Sequence, residues 1–291
     1  MPRHDDPLWL EAQYDNRARV ADSPQRIAAW TQASQAARAG SPGARLDLRY
    51  APGPGGTLDV FPGGPAATGP DGAPVLLFIH GGYWRALAKE DFSFLAPAFN
   101  AAGAAVVVPD YALCPKVSIE HIALQMVQAV AWTVRHAAGF GGDARRIVVV
   151  GHSAGGHLAA MLMACRWRDV DPALPLQPLA GALALSGLYD LEPIRLVPSL
   201  QKDLALTPAS VRRLSPAFFP RPRHGRLHAV VGADESEEFL RQNQLIRDAW
   251  GPTTVPVCEA LPGLNHFTVM TALADPQHRL HGLARSLLGL G

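Results

Sequence analysis

The stretch Ile147–Gly156 reads IVVVGHSAGG and decides the interpretation of the rest of the chain. Its four leading apolar residues run without a polar break, as in a strand that is buried on both faces of a sheet. The glycines then allow a sharp turn, and a stretch with apolar residues at helical spacing follows. A serine in such a strand–turn–helix of the form G-x-S-x-G carries its hydroxyl out of the sheet. The pattern therefore predicts that Ser153 is a nucleophile.

Similar unbroken apolar runs recur along the chain and alternate with stretches of helical spacing. We expect further strands at residues 46–50, 58–61, 75–79, 105–109, 182–186, 228–232 and 255–259. We expect helices at residues 8–39, from Ser118 to about Val134, and at residues 154–165, 235–250 and 278–288. Strands that alternate with helices predict an α/β protein whose central, mostly parallel sheet is covered by helices on both faces. No second core or linker interrupts this alternation, so residues 1–291 are predicted to form a single domain.

Three segments stand outside the alternation. Residues 8–40 form an amino-terminal helical segment, and residues 52–74 are rich in glycine and proline, as in a surface loop. Residues 187–226 hold six prolines between two predicted strands, which is too long for an ordinary connection. We interpret this excursion as a candidate lid over the carboxyl edge of the sheet. The alternative is a set of short helices and loops with no part in substrate binding.

Composition excludes several classes of protein. The 26 basic and 25 acidic side chains leave a net charge of +1, which argues against a nucleic-acid partner. The 27 glycines and 26 prolines stay below the share of about 25–30% that is typical of disordered chains. No apolar run is long enough for a membrane span, and Asp5 and Asp6 lie where a secretion signal would turn apolar. Three cysteines without a CxxC pair predict neither a disulfide framework nor a zinc cluster, so we expect a reducing, cytoplasmic location.

A serine hydroxyl needs a base, and in enzymes with this turn the chain order is serine, acid, histidine. His266 follows the last predicted strand through a Pro-Gly turn and is the predicted base. The rival histidines lie in polar helical stretches, in a basic loop or at a strand start: His278, His281, His224 and His228. Asp234 follows the strand at 228–232 and is the predicted acid, which would fix the imidazole tautomer.

Other carboxylates compete with Asp234 for this role. Asp190 also follows a strand and is the serious rival. Glu235, Glu237 and Glu238 open the next predicted helix, where carboxylates commonly offset the helix dipole. We therefore interpret these three as helix-start residues.

An oxyanion hole needs backbone N–H groups that face the developing charge. One is predicted from Ala154, which follows the nucleophile, and the others from Gly81 and Gly82, which follow the strand at 75–79. Tyr83 and Trp84 come next and are candidate substrate contacts, since their rings could stack on an aromatic group. The alternative is that both pack beneath the amino-terminal helices.

With these elements in order, the chain resembles the α/β-hydrolase fold, in the branch of hormone-sensitive-lipase-like esterases with an HGG motif. The sequence HGGYW at 80–84 is more specific and resembles the serine-dependent kynurenine formamidases, or arylformamidases. Other stretches agree with that family: EAQY at 11–14, DYALCP at 110–115, SGLYDL at 186–191, DES at 234–236 and NHF at 265–267.

The resemblance implies hydrolysis of N-formyl-kynurenine, or of small aryl and acyl esters, without a metal or an organic cofactor. Ser153, Asp234 and His266 would be its catalytic residues. A general short-chain carboxylesterase with an unknown natural ester is the alternative, and acyl transfer also stays open. A non-catalytic binding protein on the same fold is a third hypothesis, against which the intact triad argues. The expected partner is a small-molecule substrate, with neither nucleic acid nor membrane, and a homodimer stays open.

Overall fold

The protein is described here by a computed structural model for residues 5–64, 67 and 72–291. The first four residues, and six of those in the loop predicted at 52–74, lie outside the described part. Eight strands form one sheet. In chain order they are β1 (Arg45–Arg49), β2 (Thr57–Phe61), β3 (Ala73–Ile79), β4 (Ala105–Pro109), β5 (Gly142–His152), β6 (Leu179–Leu185), β7 (Arg226–Gly232) and β8 (Val257–Leu261). All eight predicted strands are confirmed.

The sheet has the order β1-β2-β4-β3-β5-β6-β7-β8. The pairs β1–β2 and β2–β4 are antiparallel, and every later pair is parallel. The edge strand β1 is largely exposed and carries charges, which discourages pairing with another chain. The mostly parallel sheet was predicted correctly. Its parallel strands end at one edge, where the register places Ile79 and Ala184 on either side of Gly151.

Thirteen helices are present among the described residues. They are α1 (Pro7–Tyr14), α2 (Asn16–Arg19), α3 (Ser23–Gly40), α4 (Ala96–Ala101), α5 (Ile119–His136), α6 (Ala154–Met163), α7 (Trp167–Val170), α8 (Glu192–Leu196), α9 (Pro198–Leu204), α10 (Pro208–Leu214), α11 (Glu237–Thr254), α12 (Thr268–Ala274) and α13 (Arg279–Leu288). None of these helices combines the length and the apolar character that a membrane crossing needs. The sequence interpretation missed α4, α7 and α12, which are short and carry no side-chain cap at their first turn.

Two hydrophobic cores flank the sheet and explain why its strands lack polar alternation. Leu77 and Val149 belong to the core beneath α5 and α6, whereas Phe78 and Val148 belong to the core beneath α12 and α13. Neighbouring residues of one strand point to opposite faces, so both sets must be apolar.

The amino-terminal helices are tied to the sheet by buried charges. Lys89 is almost fully buried, and its Nζ lies 3.0 Å from Asp59 Oδ1 and 2.7 Å from Asp47 Oδ1. Arg38 of α3 also pairs with Asp59, whose side chain has no exposure. Buried charges require such partners, because removing either sign leaves the other without solvent or counter-charge.

The segment at 187–226 carries α8, α9 and α10 and is anchored to the core at several points. His157 Nε2–H donates to the Leu214 carbonyl over 2.8 Å, and Trp250 Nε1–H donates to the Pro216 carbonyl over 3.1 Å. Inside the segment, the Leu191 amide donates to Ser215 Oγ over 2.9 Å. The first two contacts attach the segment to α6 and α11.

Candidate active site

Ser153 stands on a strained turn between β5 and α6. Its φ of 56° and ψ of −117° are rarely adopted by a non-glycine residue, and such strain persists where the surroundings impose it. A Cβ on Gly151 would lie 2.1 Å from the Gly155 carbonyl oxygen, and one on Gly155 would lie 2.0 Å from the Ile79 carbonyl oxygen. Only glycine fits at both positions, so the elbow predicted around Ser153 is confirmed.

His266 lies in the loop between β8 and α12. Asn265 shapes this loop, because its Oδ1 accepts from the amides of Phe267 and Thr268, each over 3.0 Å. His152, the residue before the nucleophile, donates through Nε2–H to the His266 carbonyl over 2.9 Å. The rings of His152 and His266 are 4.6 Å apart. Burial, followed by the nearby His266, lowers the pKa of His152 well below its ordinary value, so His152 is neutral.

The carboxylate that meets His266 is Glu235, not Asp234. Glu235 Oε2 lies 2.7 Å from His266 Nδ1, and the Glu235 side chain has no exposure. Asp234 is exposed and makes no contact with His266. The prediction of Asp234 as the acid is therefore wrong by one residue.

The reason for this error is local. We assigned Glu235 to the start of the helix, but α11 begins at Glu237 and Ser236 is its cap, with Oγ accepting from the Phe239 amide. Glu235 precedes the cap, so its side chain is free to turn inward. The cap residue Ser236 was the signal that could have corrected the prediction. Asp190, the rival acid, accepts from the Glu192 amide over 3.0 Å and has no contact with His266.

The predicted oxyanion loop lies beside the nucleophile. A Cβ on Gly81 would meet Ser153 Cβ at 3.1 Å and the His152 carbonyl oxygen at 2.9 Å. Gly82 has a φ of +103°, and a Cβ there would lie 2.1 Å from the Ala86 carbonyl oxygen. Among the described residues, the amides of Gly82 and Tyr83 have no hydrogen-bond acceptor. Such free N–H groups are what an oxyanion requires.

His80 stabilises this loop through its contacts with Tyr111. Its ring stacks on Tyr111 with 4.1 Å between centroids. The Tyr111 hydroxyl lies 3.0 Å from the His80 carbonyl oxygen and 3.2 Å from that of Gly81. Both carbonyls are thereby turned toward Tyr111, which leaves the amides on the other side of the loop.

The two aromatic residues of the loop have different surroundings. Trp84 has 0% exposure and packs edge-on against His157 with 5.1 Å between ring centroids. Its proposed contact with substrate is therefore wrong, and Trp84 is a core residue. Tyr83 is half-buried, and its hydroxyl donates to the Tyr14 carbonyl of α1 over 2.8 Å.

The charge of Glu235 also acts on the Tyr83 hydroxyl. Burial raises the pKa of Tyr83 well above its ordinary value, and the negative charge of Glu235 raises it further. The phenol is therefore neutral.

Across the described residues, no group of three or more His, Cys, Asp or Glu side chains could hold a metal ion.

Residues 76–279 match the alpha/beta hydrolase fold family. The chain belongs to this family. The hydrolase is 29% identical to a kynurenine formamidase from Danio rerio over 250 residues, which cover 84% of this chain and 82% of the relative. It is 37% identical to the carboxylesterase NlhH from Mycobacterium tuberculosis over 38% of this chain and 34% of the relative.

A solved structure supports the same assignment. The hydrolase superposes on a candidate thioesterase from Silicibacter sp. TM1040 with a TM-score of 0.80 and 28% identity. The match covers 94% of this chain and 97% of the other. The resemblance to kynurenine formamidases and the α/β-hydrolase fold are thus both confirmed, and the protein is a hydrolytic enzyme.

Proposed function

We propose that this hydrolase is an arylformamidase that removes the formyl group from N-formyl-L-kynurenine. The observation that carries the proposal is the length of the likeness: it extends over 84% of the chain for the kynurenine formamidase of Danio rerio, against 38% for the carboxylesterase NlhH. A short-chain carboxylesterase is the second candidate, favoured by the higher identity of that shorter match.

The catalytic residues of the proposed reaction are Ser153, His266 and Glu235. The Nδ1–H of His266 donates to Glu235, so Nε2 carries the lone pair and is the base. Ser153 Oγ would attack the formyl carbon while His266 Nε2 takes the hydroxyl proton. Glu235 stabilises the imidazolium that forms.

The amides of Gly82 and Ala154, with Gly81 beside them, would hold the oxyanion of the tetrahedral intermediate. When this intermediate collapses, the bond between the formyl carbon and the aryl nitrogen breaks. His266 then returns its proton to the departing aryl amine. His266 then takes a proton from water as the water oxygen attacks the formyl-serine, and it returns that proton to Ser153 Oγ as formate leaves.

Tyr83 remains a proposed substrate contact. It follows Gly82 in the oxyanion loop, and its side chain is half-buried, so its ring could stack on the aryl group. Since its hydroxyl is engaged by Tyr14, the ring has a fixed orientation.

The segment at 187–226 stays a proposed lid. Arg85 of the oxyanion loop reaches α9, where its Nη1 donates to the Ser199 carbonyl over 2.7 Å and to Asp203 Oδ2 over 2.6 Å. This ion pair would couple any movement of α9 to the oxyanion loop. We place the reaction in the cytoplasm, in line with three free cysteines.

Kinetics test the proposed substrate. We would measure kcat/KM for N-formyl-L-kynurenine and for p-nitrophenyl acetate and butyrate, with Ser153→Ala as the blank. The proposal expects the formyl amide to be the best substrate. If it is turned over no faster than by the blank while the esters are hydrolysed, the enzyme is a carboxylesterase.

A further inference from the structure

Ser186 makes a contact that the proposed mechanism does not yet use. It directly follows β6 and has 0% exposure. Its hydroxyl donates to Glu235 Oε1 over 2.5 Å. A neutral hydroxyl that donates to a buried carboxylate forms one of the stronger hydrogen bonds in proteins.

The Glu235 carboxylate has a donor on each oxygen. Oε1 accepts from Ser186 Oγ and, over 2.8 Å, from the Gly232 amide. Oε2 accepts from His266 Nδ1. The two contacts at Oε1 therefore decide in which direction Oε2 points.

The backbone of Ser186 indicates that serine is present at this turn for its hydroxyl. Its φ of +51° lies in the left-handed region, which glycine adopts without strain and other residues adopt only at a cost in stability. The Ser186 amide donates to the Val230 carbonyl over 2.7 Å, a bond that glycine would make equally well. What serine adds to this turn is the contact with Glu235.

We propose that Ser186 is a positioning residue that holds Glu235 so that Oε2 faces His266. Glutamate has one more rotatable bond than aspartate and loses more side-chain freedom when it is fixed. Ser186 and the Gly232 amide together restrict that freedom. The inference rests on the proposed roles of Ser153, His266 and Glu235, but not on the identity of the substrate.

The test compares Ser186→Ala and Ser186→Gly, with p-nitrophenyl acetate as substrate. Both remove the hydroxyl, but glycine also relieves the backbone strain. We expect kcat to fall by about 10- to 100-fold in both variants with KM nearly unchanged, since a misplaced catalytic group costs up to about 100-fold. Ser186→Gly should melt at a higher temperature than Ser186→Ala and yet be as slow.

Ser215→Ala is the matched control. Ser215 is also a buried serine with one hydrogen bond to its hydroxyl, from Leu191, and it has no contact with Glu235. This variant should lose stability without a comparable fall in kcat. If Ser186→Gly has the kcat of the wild type, or if Ser215→Ala is as slow as Ser186→Ala, the positioning role is refuted.

A second comparison separates this inference from the mechanism on which it rests. In a Glu235→Gln background, the further change Ser186→Ala should cost no additional activity, because the carboxylate that it positions is gone. If Glu235→Gln itself is as active as the wild type, the proposed mechanism fails. If Glu235→Gln is slow but the Ser186 variants are not, only the role of Ser186 fails.

Discussion

The nucleophile side and the acid side of the site are held in place by different means. Around Ser153, a side chain on Gly151 would meet the backbone of Gly155, and one on Gly155 would meet the backbone of Ile79 in β3, so neither position has room for one. Around Glu235, the carboxylate itself is held by hydrogen bonds from the Ser186 hydroxyl and the Gly232 amide. The nucleophile therefore depends on steric exclusion, whereas the acid depends on the hydrogen bonds that its carboxylate accepts.

The largest effect is expected when the nucleophile is removed. Ser153→Ala should lower kcat by about 10⁴- to 10⁶-fold, the range seen when a serine of this kind is deleted. Hydrolysis of p-nitrophenyl acetate measures the loss, and the melting temperature checks that the fold is intact. A variant that keeps a tenth of the wild-type rate would mean that Ser153 is not the nucleophile.

The acid side is tested by two adjacent substitutions. Glu235→Gln should lower kcat by about 10³- to 10⁴-fold, because the imidazolium loses its counter-charge and the tautomer is no longer fixed. Asp234→Asn is the matched control and should stay within about twofold, since Asp234 is exposed. The opposite ranking of the two variants in the same assay would restore Asp234 as the acid.

A smaller effect is expected where steric exclusion alone is broken. In Gly81→Ala the new methyl group would push the oxyanion loop away from Ser153, and kcat should fall by about 10- to 100-fold. Gly139→Ala serves as the control, since a Cβ there meets nothing within 4 Å. Equal rates for the two variants would show that the loop yields without loss of function.

The smallest expected effect is on stability and concerns pH. Burial lowers the pKa of His157 from 6.5 to about 4. Below pH 6.5 this histidine is therefore protonated in the unfolded chain, whereas in the folded protein it stays neutral until the pH approaches about 4. Stability should therefore decrease as the pH falls through this window. His157→Gln should flatten the decrease by up to about 1.4 kcal/mol per pH unit. Urea unfolding at several pH values measures the slope, and an unchanged slope would contradict the assignment.

The contrast between the two sides also explains which features could be predicted from the sequence. Positions where a side chain is sterically excluded are recognisable in the sequence as glycines at fixed spacing. Ser153 and its elbow could therefore be predicted. The apolar runs of β3 and β5 leave a similar mark, because strands covered on both faces cannot alternate. His266 was found from its position after the last strand.

The acid was missed because adjacent residues compete at this position. Asp234 and Glu235 both follow β7, and the choice between them depends on which side chain reaches donors that lie far away in the chain, such as Ser186. The sequence left Trp84 open between substrate contact and packing for a related reason. It follows the oxyanion glycines, but its left-handed backbone, with a φ of 55°, accompanies a side chain turned into the core. The spacing of residues along the sequence alone predicts neither the identity of the acid nor the position of the Trp84 side chain.

The contact between α1 and α11 constrains the order in which a nascent chain can complete its site. The Tyr14 hydroxyl donates to Glu238 Oε2 over 2.7 Å, across 224 positions of sequence. The backbone carbonyl of Tyr14 in turn accepts a hydrogen bond from the Tyr83 hydroxyl. During synthesis the first helix leaves the ribosome long before Glu238 is made, so the wall that it forms beside the oxyanion loop can close only when the chain is nearly finished. Enzymatic competence should thus be acquired late in translation, after the sheet has received its last strands.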